Sequence, residues 1–387
     1  MRLLIYHWNS YFQYDICEIC KEESIAFQLF EWKFENKNYD GEFEKWFTDN
    51  VDNQEFDAVL SINYYPVISD ACMKKGIKYV AWCYDNPLNV EHIEETLNNS
   101  VNYVFLFDKV QFWQYANAGF ETVYYLPLGV NKSRLEKLRI SETDYQRYKA
   151  EVSFVGNLYE SKLQGIMGPM NDYTKGYLKS LMDLQSQIYG YYIFDELISQ
   201  ELIDDVNRQY LQQNPDTKLH LSKAALTFAM ASEVTRNDRL ILLSLCGKRY
   251  DTKFYSYDSS ELITGVTQCG SVDYVTEMPK VFACSKINLN PSLRIIQTGI
   301  PQRALDIMGA GGFLLSNYQE ELAEYFVNGE DMVIYEGIED AMDKVAFYLG
   351  HNDLRVKIAQ SGRDKTLELH TMQGRLVTIF ETVGILR

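Results

Sequence analysis

The stretch "GIPQRALDIMGAGGFLLSNYQEEL" (residues 299–322) places a short helix directly before a buried strand. Gly299 and Pro301 predict a turn into the helix, because proline is tolerated in the first helical turn. The glycines of "GAGG" then end the helix and let the chain reverse into the apolar run "FLLSN". Another apolar run, "SKINLN" (285–290), precedes the stretch. The order strand, helix, strand predicts two parallel strands of one sheet.

The same alternation extends through most of the chain. Apolar, strand-like runs in the first third lie at 2–8, 24–32, 56–63, 77–85, 102–108 and 122–128. Later runs lie at 150–157, 251–258, 267–272, 285–290, 311–317 and 331–336. Because helical stretches separate most of them, the sequence predicts two doubly wound, Rossmann-like α/β domains in tandem. The predicted domains are 1–135 and 149–370, and a C-terminal helix at 371–387 is expected to pack back on the first domain.

Residues 159–231 do not fit this alternation, because they have helical composition and no strand signal. A doubly wound domain needs one helix between its first two strands, so the sequence predicts a helical insertion in the second domain. Insertions of this size usually serve a partner or a substrate. We expect the segment to bury four aromatic side chains against a second subunit, giving a homodimer, or against the rim of an acceptor site. A small satellite core is the alternative. The four are Tyr189, Tyr191, Tyr192 and Phe194.

Composition and charge exclude several classes of function. A chain of 387 residues with 46% hydrophobic residues is long enough for two buried cores. The net charge of -17 argues against nucleic acid, whose phosphates need a basic surface. No run of about 18 apolar residues predicts a membrane span, and the polar N-terminus does not read as a signal peptide. Seven scattered cysteines favour reduced thiols and a cytoplasmic location.

In open α/β sheets, ligands bind outside the carboxyl ends of the strands. Polar residues at those positions are therefore candidate site residues, although turn and cap roles are the alternative for each one alone. In the first domain they are His7, Asn9, Asn63, Asp85, Asn86 and Asp108. In the second they include Gly156, Asn157, Asn290 and Asn317.

Arg303 and Asp306 lie three residues apart, on one face of the helix predicted within residues 299–322. One interpretation is a surface ion pair. The other is a ligand site, in which the carboxylate holds two ribose hydroxyls and an arginine or helix-start amides meet a diphosphate. Spacing alone leaves both open.

Two long stretches resemble a known family. "KINLNPSLRIIQTGIPQRALDIMGAGGFLLSNYQEELAEYFVNGEDMVIYEGIEDAMDKVAFYL" (286–349) resembles the glycosyltransferase-like domain of CgeB-type spore proteins, a bacterial branch of the GT-B glycosyltransferases. "FDAVLSINYYPVISDACMKKGIKYVAWCYDNPL" (56–88) is similar to the N-terminal domain that accompanies it. The resemblance implies two Rossmann-like domains facing a cleft, with a nucleotide-sugar donor bound mainly by the second domain.

The resemblance also implies roles for residues at the donor. Asp306 stands where related retaining enzymes carry the second of two glutamates, which holds the ribose, and Thr298 stands at the first. The usual glycine-rich diphosphate loop is replaced by "SNYQEE" (316–321). The donor, with UDP as the expected nucleotide, would meet Asp306, Arg303, Arg294, Gly156, Asn157, Asn290, Asn317 and Tyr318. We expect no metal and no other cofactor.

The first domain would then meet the acceptor, a glycan, a protein or another surface or spore component. Asp85 is the first candidate to orient or deprotonate the acceptor, and His7 is the second. Asn9, Asn63 and Asp108 are the expected acceptor-binding residues. Two other functions stay open, a GT-B sugar-nucleotide epimerase and a non-catalytic spore-coat or surface-assembly protein.

Overall fold

A computed structural model describes residues 1–8, 10–88, 90, 93–160 and 162–386. The chain forms two compact units. Unit 1 contains residues Met1–Leu138, Thr298–Gly309 and Asp364–Arg387, and unit 2 contains Arg139–Gln297 and Ala310–Arg363. Each unit is built on one six-stranded sheet.

The sheet of unit 1 consists of β1 (Arg2–His7), β2 (Ala26–Glu31), β3 (Ala58–Ile62), β4 (Lys78–Trp82), β5 (Asn102–Leu106) and β6 (Val123–Tyr125). Its strand order is β2-β1-β3-β4-β5-β6, and every pairing is parallel. The central strand β3 is buried along its whole length, as expected for a parallel sheet covered on both faces. Leu3 of β1 sets the register, because it pairs with Phe27 on one side and Ala58 on the other.

Helices join these strands. They are α1 (Tyr11–Glu22), α2 (Gly41–Asn50), α3 (Pro66–Lys75), α4 (Glu94–Leu97), α5 (Lys109–Asn117) and α6 (Lys132–Glu136). Gly76 ends α3 in the left-handed region at φ 67°, a conformation that favours glycine. An aromatic cluster fills the core between sheet and helices, and Phe43, Phe47 and Tyr79 are fully buried in it.

The sheet of unit 2 consists of β7 (Ala150–Val155), β8 (Thr252–Tyr255), β9 (Thr267–Gln268), β10 (Ser285–Asn290), β11 (Leu314–Asn317) and β12 (Val333–Tyr335). Its order is β12-β11-β10-β7-β8-β9, again with parallel pairing throughout. All twelve strand-like runs of the sequence become strands. The predicted α/β class with two parallel, doubly wound sheets is therefore confirmed.

The remaining helices are α7 (Glu142–Tyr148), α8 (Leu163–Met167), α9 (Asp172–Gln187), α10 (Phe194–Leu197), α11 (Gln200–Gln213), α12 (Lys223–Gly247), α13 (Met278–Cys284), α14 (Gln302–Gly309), α15 (Glu320–Tyr325), α16 (Ile338–Gly350), α17 (Asn352–Leu369) and α18 (Met372–Val383). No helix in the described part of the chain is long and apolar enough to span a membrane.

Helices α8 to α12 lie between β7 and β8 and share an apolar cluster. Tyr192 and Phe194 are buried inside it, together with Leu293 and Ile295 from the loop after β10. The satellite core that the sequence left as an alternative therefore accounts for these two aromatics. Tyr191 is 55% exposed. Dimerisation through this segment stays a prediction.

Helix α14 groups with unit 1, although the sequence placed it in the domain 149–370. It packs on the segment after β6, where a Cβ on Gly309 would lie 2.8 Å from Leu135 Cδ1. At the other end of the helix, Gln302 Nε2 donates a hydrogen bond to the Gly129 carbonyl oxygen over 3.1 Å. The C-terminal helix α18 is also part of unit 1, where Lys78 Nζ donates to the Val383 carbonyl over 2.7 Å.

Candidate functional site

The carboxyl edge of the unit 1 sheet holds the first group of predicted residues. Strand order reverses between β1 and β3, which makes the loops after these strands the expected ligand crevice. Asn63 follows β3 in the left-handed region at φ 64°. Its Oδ1 accepts from the backbone amides of Tyr84 (2.9 Å) and Asp85 (3.2 Å), and its Nδ2 donates to Asp85 Oδ2 over 2.7 Å. Asn63 therefore positions Asp85.

Asp85 combines exposure with a shifted pKa. The residue reaches solvent, yet desolvation by the surrounding protein raises the pKa of its carboxyl group. The positive charge of Lys37 and the hydrogen bond from Asn63 lower the pKa in part. A carboxylate with a raised pKa that still meets water is suited to accept a proton from a bound hydroxyl.

His7 lies at the end of β1, beside the strand that leads to Asn63. Its Nδ1 is 3.1 Å from Gln13 Oε1 and its Nε2 is 3.7 Å from Glu31 Oε1. Two polar atoms at the start of α1, Ser10 Oγ and Gln13 Nε2, are buried without a hydrogen-bond partner among the described residues. Gln13, in α1, was not among the site residues predicted from the sequence. The predicted residue Asn9 lies outside the described residues.

Asp108 has a different role from the one expected of an acceptor-binding residue. It is fully buried and caps α5, where its Oδ1 accepts from the amides of Val110 (2.9 Å) and Gln111 (3.2 Å). Its Oδ2 accepts from the amides of Thr298 and Gly299, both over 3.1 Å. The carboxylate thus clamps the segment leading into α14 to the end of β5, and its position is structural.

The Arg303–Asp306 pair is not a surface ion pair. Asp306 is only 7% exposed, its Oδ1 accepts from Gln302 Nε2 over 2.9 Å, and its Oδ2 lies 3.4 Å from Arg303 Nη1. Burial raises the pKa of Asp306, while the charges of Arg303 and Arg134 lower it and that of Asp15 raises it further. Arg134 in turn binds the fully buried Asp15 through Nε (2.8 Å) and Nη2 (2.7 Å). The pair belongs to a buried polar network.

In unit 2 the strand order reverses between β7 and β10, so the expected crevice lies at the loops after these strands. Arg239 of α12 bridges the two loops. Its Nη1 donates to the Asn157 carbonyl, and its Nε and Nη2 donate to the Pro291 carbonyl over 3.0 and 2.7 Å. The guanidinium also lies 4.7 Å from the Tyr159 ring centre. Arg239 therefore shapes the backbone at Gly156 and Asn157, and the sequence did not single it out.

Asn290 and Asn317 end neighbouring strands and tie the following loops together. Asn290 Nδ2 donates to Ser316 Oγ (2.9 Å) and to Ser292 Oγ (3.2 Å). Asn317 Oδ1 accepts from the Ser292 amide over 2.7 Å. Both asparagines are buried, so their side chains hold the loop backbone in place.

Arg294 is paired within unit 2. Its Nε and Nη2 lie 2.9 and 2.6 Å from Asp238 Oδ2, and its Nη1 donates to the Ile188 carbonyl over 3.0 Å. The guanidinium stacks on the Tyr189 ring, 3.8 Å from its centre, and the residue is 7% exposed. The charge expected to meet a diphosphate is therefore neutralised by a carboxylate, and the side chain fixes the loop after α9.

A narrow cleft opens at the carboxyl ends of β10 and β11. It is lined by the loop after α9, by Arg294, Ile296 and Gln297, and by residues 317–319. Tyr318 packs so closely on Gly190 that a Cβ there would lie 2.5 Å from the ring, and Gly190 has φ 78°. Among the described residues, no group of three or more His, Cys, Asp or Glu side chains could hold a metal ion.

Comparison with known proteins shows which proteins the chain is similar to. Residues 232–381, from within α12 to within α18, match the family described as glycosyl transferase-like. No curated protein matches the sequence. A glycosyltransferase from Rickettsia africae ESF-5 is similar in structure, with a TM-score of 0.55, 10% identity, and coverage of 99% of this chain and 97% of that one.

Two further solved structures are similar over their whole length. Anabaena HepE in complex with UDP and glucose has a TM-score of 0.54 at 10% identity and covers 100% of both chains. Sucrose-phosphate synthase from Thermosynechococcus elongatus has a TM-score of 0.53 at 9% identity, covering 99% of this chain and 98% of that one. The chain has the GT-B fold, and with the family match these similarities support a glycosyltransferase.

Proposed function

We propose that the protein transfers a hexose from a nucleoside diphosphate to a hydroxyl or amide of an acceptor glycan, protein or surface component, as a CgeB-like enzyme of the cytoplasm. The observation that carries the proposal is the family match over 232–381, because this stretch supplies β10, β11 and the loops that follow them at the carboxyl edge of unit 2. HepE, a protein of the same fold, has been solved with UDP and with UDP-glucose. This supports UDP as the nucleotide.

Donor recognition is assigned first to the edge of unit 2. Arg239 and the buried asparagines hold the backbone at Gly156, Asn157 and Tyr318, so that amide and carbonyl groups are fixed before a ligand arrives. Such preorganisation lowers the entropic cost of binding.

For the ribose and the diphosphate we keep Asp306 and Arg303 as part of the proposal. A carboxylate can accept hydrogen bonds from two vicinal hydroxyls, and an arginine can offset the charge that develops on the leaving diphosphate. Arg303 is partly open to solvent, with 29% of its side chain exposed. We propose that this cation and backbone amides take the place of a divalent metal.

Asp85 is the proposed general base. As the acceptor oxygen bonds to the anomeric carbon, its proton passes to Asp85, and the nucleoside diphosphate leaves with the electron pair of the broken glycosyl bond. Asn63 holds the carboxylate at 2.7 Å, and the raised pKa makes it a better proton acceptor than an ordinary aspartate. His7 is the second candidate for the same proton.

The test uses the full-length protein with UDP, UDP-glucose and a panel of acceptor sugars and peptides. We expect UDP to raise the melting temperature and UDP release from UDP-glucose to need an acceptor. EDTA should leave the release unchanged. Release that stops in EDTA and returns with Mg²⁺ would remove metal independence from the proposal.

Failure of every nucleoside diphosphate to shift the melting temperature would contradict the proposal and favour a non-catalytic assembly protein. Conversion of UDP-glucose to UDP-galactose without acceptor would favour an epimerase instead.

A further inference from the structure

Gln319, two residues after the end of β11, has a buried side-chain amide. The residue is 3% exposed and lines the cleft of unit 2. Its Nε2 donates to the Ile296 carbonyl over 3.3 Å, whereas its Oε1 has no hydrogen-bond partner among the described residues. A buried acceptor without a donor is unfavourable, so native proteins rarely keep one without a reason.

The orientation of this amide follows from chemistry. The Ile296 carbonyl can only accept a hydrogen bond, so the side-chain nitrogen of Gln319 must face it. A flipped amide would bring two acceptors together. The oxygen therefore points away from Ile296, and a ligand group that meets it must donate a hydrogen.

The walls of the cleft are fixed before any ligand binds. Gln185, itself 1% exposed, donates through Nε2 to the carbonyls of Ile188 (3.2 Å) and Tyr191 (2.8 Å). Arg294 holds the Ile188 carbonyl from the other side. With Gly190 pressed against Tyr318, the loop after α9 has little freedom to move away. The helical segment thus shapes the cleft beside Gln319.

The other polar groups near the cleft decide the ligand class. Arg294, which lines the cleft, is paired with Asp238, and Gln297 beside Gln319 donates through Nε2 to the Asp195 carboxylate over 3.0 Å. Lys223 Nζ faces the backbone carbonyl of Asp195. A phosphate, which offers mainly acceptors and negative charge at neutral pH, has no donor for Gln319 Oε1. A sugar hydroxyl has one.

The cleft has space of about 10 Å³, enough for one hydroxyl group but not for a sugar ring. We propose that the glycosyl ring of the donor lies at its mouth and that one of its hydroxyls donates a hydrogen bond to Gln319 Oε1. This inference rests on the proposed transferase function. Gln319 adjoins Tyr318, whose backbone is part of the proposed donor edge, and this adjacency favours the donor sugar over an acceptor sugar. A site that hydrogen-bonds a hydroxyl rejects analogues that lack it.

The test is calorimetric titration of the full-length protein with UDP and with UDP-glucose, UDP-galactose and UDP-N-acetylglucosamine, without acceptor. We expect the parent to bind one of these conjugates more tightly than UDP. Gln319→Leu should remove about tenfold of that preference while UDP affinity stays within about twofold. The matched control is Gln187→Leu, an exposed glutamine at the end of α9, which should change neither affinity.

Monodeoxy analogues of the preferred conjugate then identify the hydroxyl. One analogue should bind the parent about tenfold more weakly than the full sugar conjugate does. Gln319→Leu should bind that analogue and the full conjugate equally, because the missing hydroxyl and the missing glutamine remove the same contact. An unchanged sugar preference in Gln319→Leu would overturn this inference alone. An equal loss for UDP and its conjugates would also overturn it, by assigning Gln319 to the nucleotide. A parent that binds no nucleotide would overturn the proposed function as well.

Discussion

The carboxyl edges of the two sheets each contain a reversal of strand order, and they differ in how they engage charged side chains. In unit 1, Asp85 reaches solvent with a raised pKa and is held by the neutral Asn63. In unit 2, the two arginines near the edge are engaged inside the protein, Arg294 with Asp238 and Arg239 with backbone carbonyls. What unit 2 leaves open is a neutral oxygen, Gln319 Oε1. The edge of unit 1 is therefore suited to proton transfer, and the edge of unit 2 is suited to recognising hydroxyls.

The largest expected effect concerns the buried pair of unit 2. Arg294→Ala leaves the Asp238 carboxylate buried without its cation, which should lower the free energy of unfolding by about 3–5 kcal/mol. Urea unfolding followed by circular dichroism measures this loss. The control is Arg208→Ala, whose exposed partner Asp205 lies 3.0 Å away and contributes about 0–1 kcal/mol.

Fluorescence assigns that loss to one unit, because all five tryptophans lie in unit 1. They are Trp8, Trp32, Trp46, Trp82 and Trp113. We expect Arg294→Ala to move the circular dichroism transition more than the tryptophan transition. Equal shifts of the circular dichroism and tryptophan transitions would contradict the conclusion that the Arg294–Asp238 pair stabilises unit 2 alone.

The next effect concerns catalysis in unit 1. Asp85→Asn removes the proposed base and keeps the shape, so kcat should fall by about 10²-fold or more while the Kd for UDP stays nearly unchanged. Steady-state release of UDP and calorimetry measure the two quantities. Asp49→Asn, an exposed carboxylate on α2, is the matched control. Loss of UDP binding with normal turnover would reverse the assignment of the two edges.

Asp306→Asn should weaken UDP binding by about 1.5–3 kcal/mol, because a charge-assisted hydrogen bond to the ribose becomes a neutral one. Stability should respond differently. Burial raises the folded-state pKa of Asp306, so the parent loses stability as pH rises from the unfolded carboxyl pKa through the raised folded pKa. Asp306→Asn lacks this loss of stability, so at pH values above that range its melting temperature should not be lower than that of the parent. A lower melting temperature with unchanged UDP affinity would make Asp306 a structural residue only.

The smallest effect is a shift in pH dependence. Turnover needs ionised Asp85, so kcat/KM should fall as pH drops through its raised pKa, which lies above the ordinary value of about 3.9. The hydrogen bond from Asn63 lowers that pKa, so Asn63→Ala should move the acidic limb of the profile to higher pH. An acidic limb that stays in place would show that a different group, such as His7, limits the rate.

Local patterns predicted the fold well and the sites only in part. Each strand is an apolar run bounded by turns, and this signal lies within a few residues, so all twelve strands could be found. The partners of α14 could not be found this way, because Gly129 and Asp108 are far from it in sequence. In the sequence, Asp108 looks like a strand-end residue that is available to a ligand. In the structure its carboxylate accepts a hydrogen bond from the Gly299 amide.

The same limit explains Arg294 and Gln319. Sequence position favoured a diphosphate contact for Arg294, but its charge is neutralised by Asp238, which lies on α12. Gln319 carries no signal in "SNYQEE", because only the structure shows that its nitrogen meets the Ile296 carbonyl while its oxygen meets no donor in the described part of the chain. Strand ends could be located from the sequence, whereas the pairing of side chains at those ends depends on tertiary contacts.

A crystal structure of Asp85→Asn grown with UDP-glucose would locate the donor, because the variant should bind UDP-glucose without consuming it. We predict UDP-glucose along the carboxyl ends of β10 and β11, beside Tyr318 and with a glucose hydroxyl at Gln319 Oε1. UDP-glucose bound instead at the end of β1 beside His7, or no bound ligand at saturating concentration, would contradict this prediction.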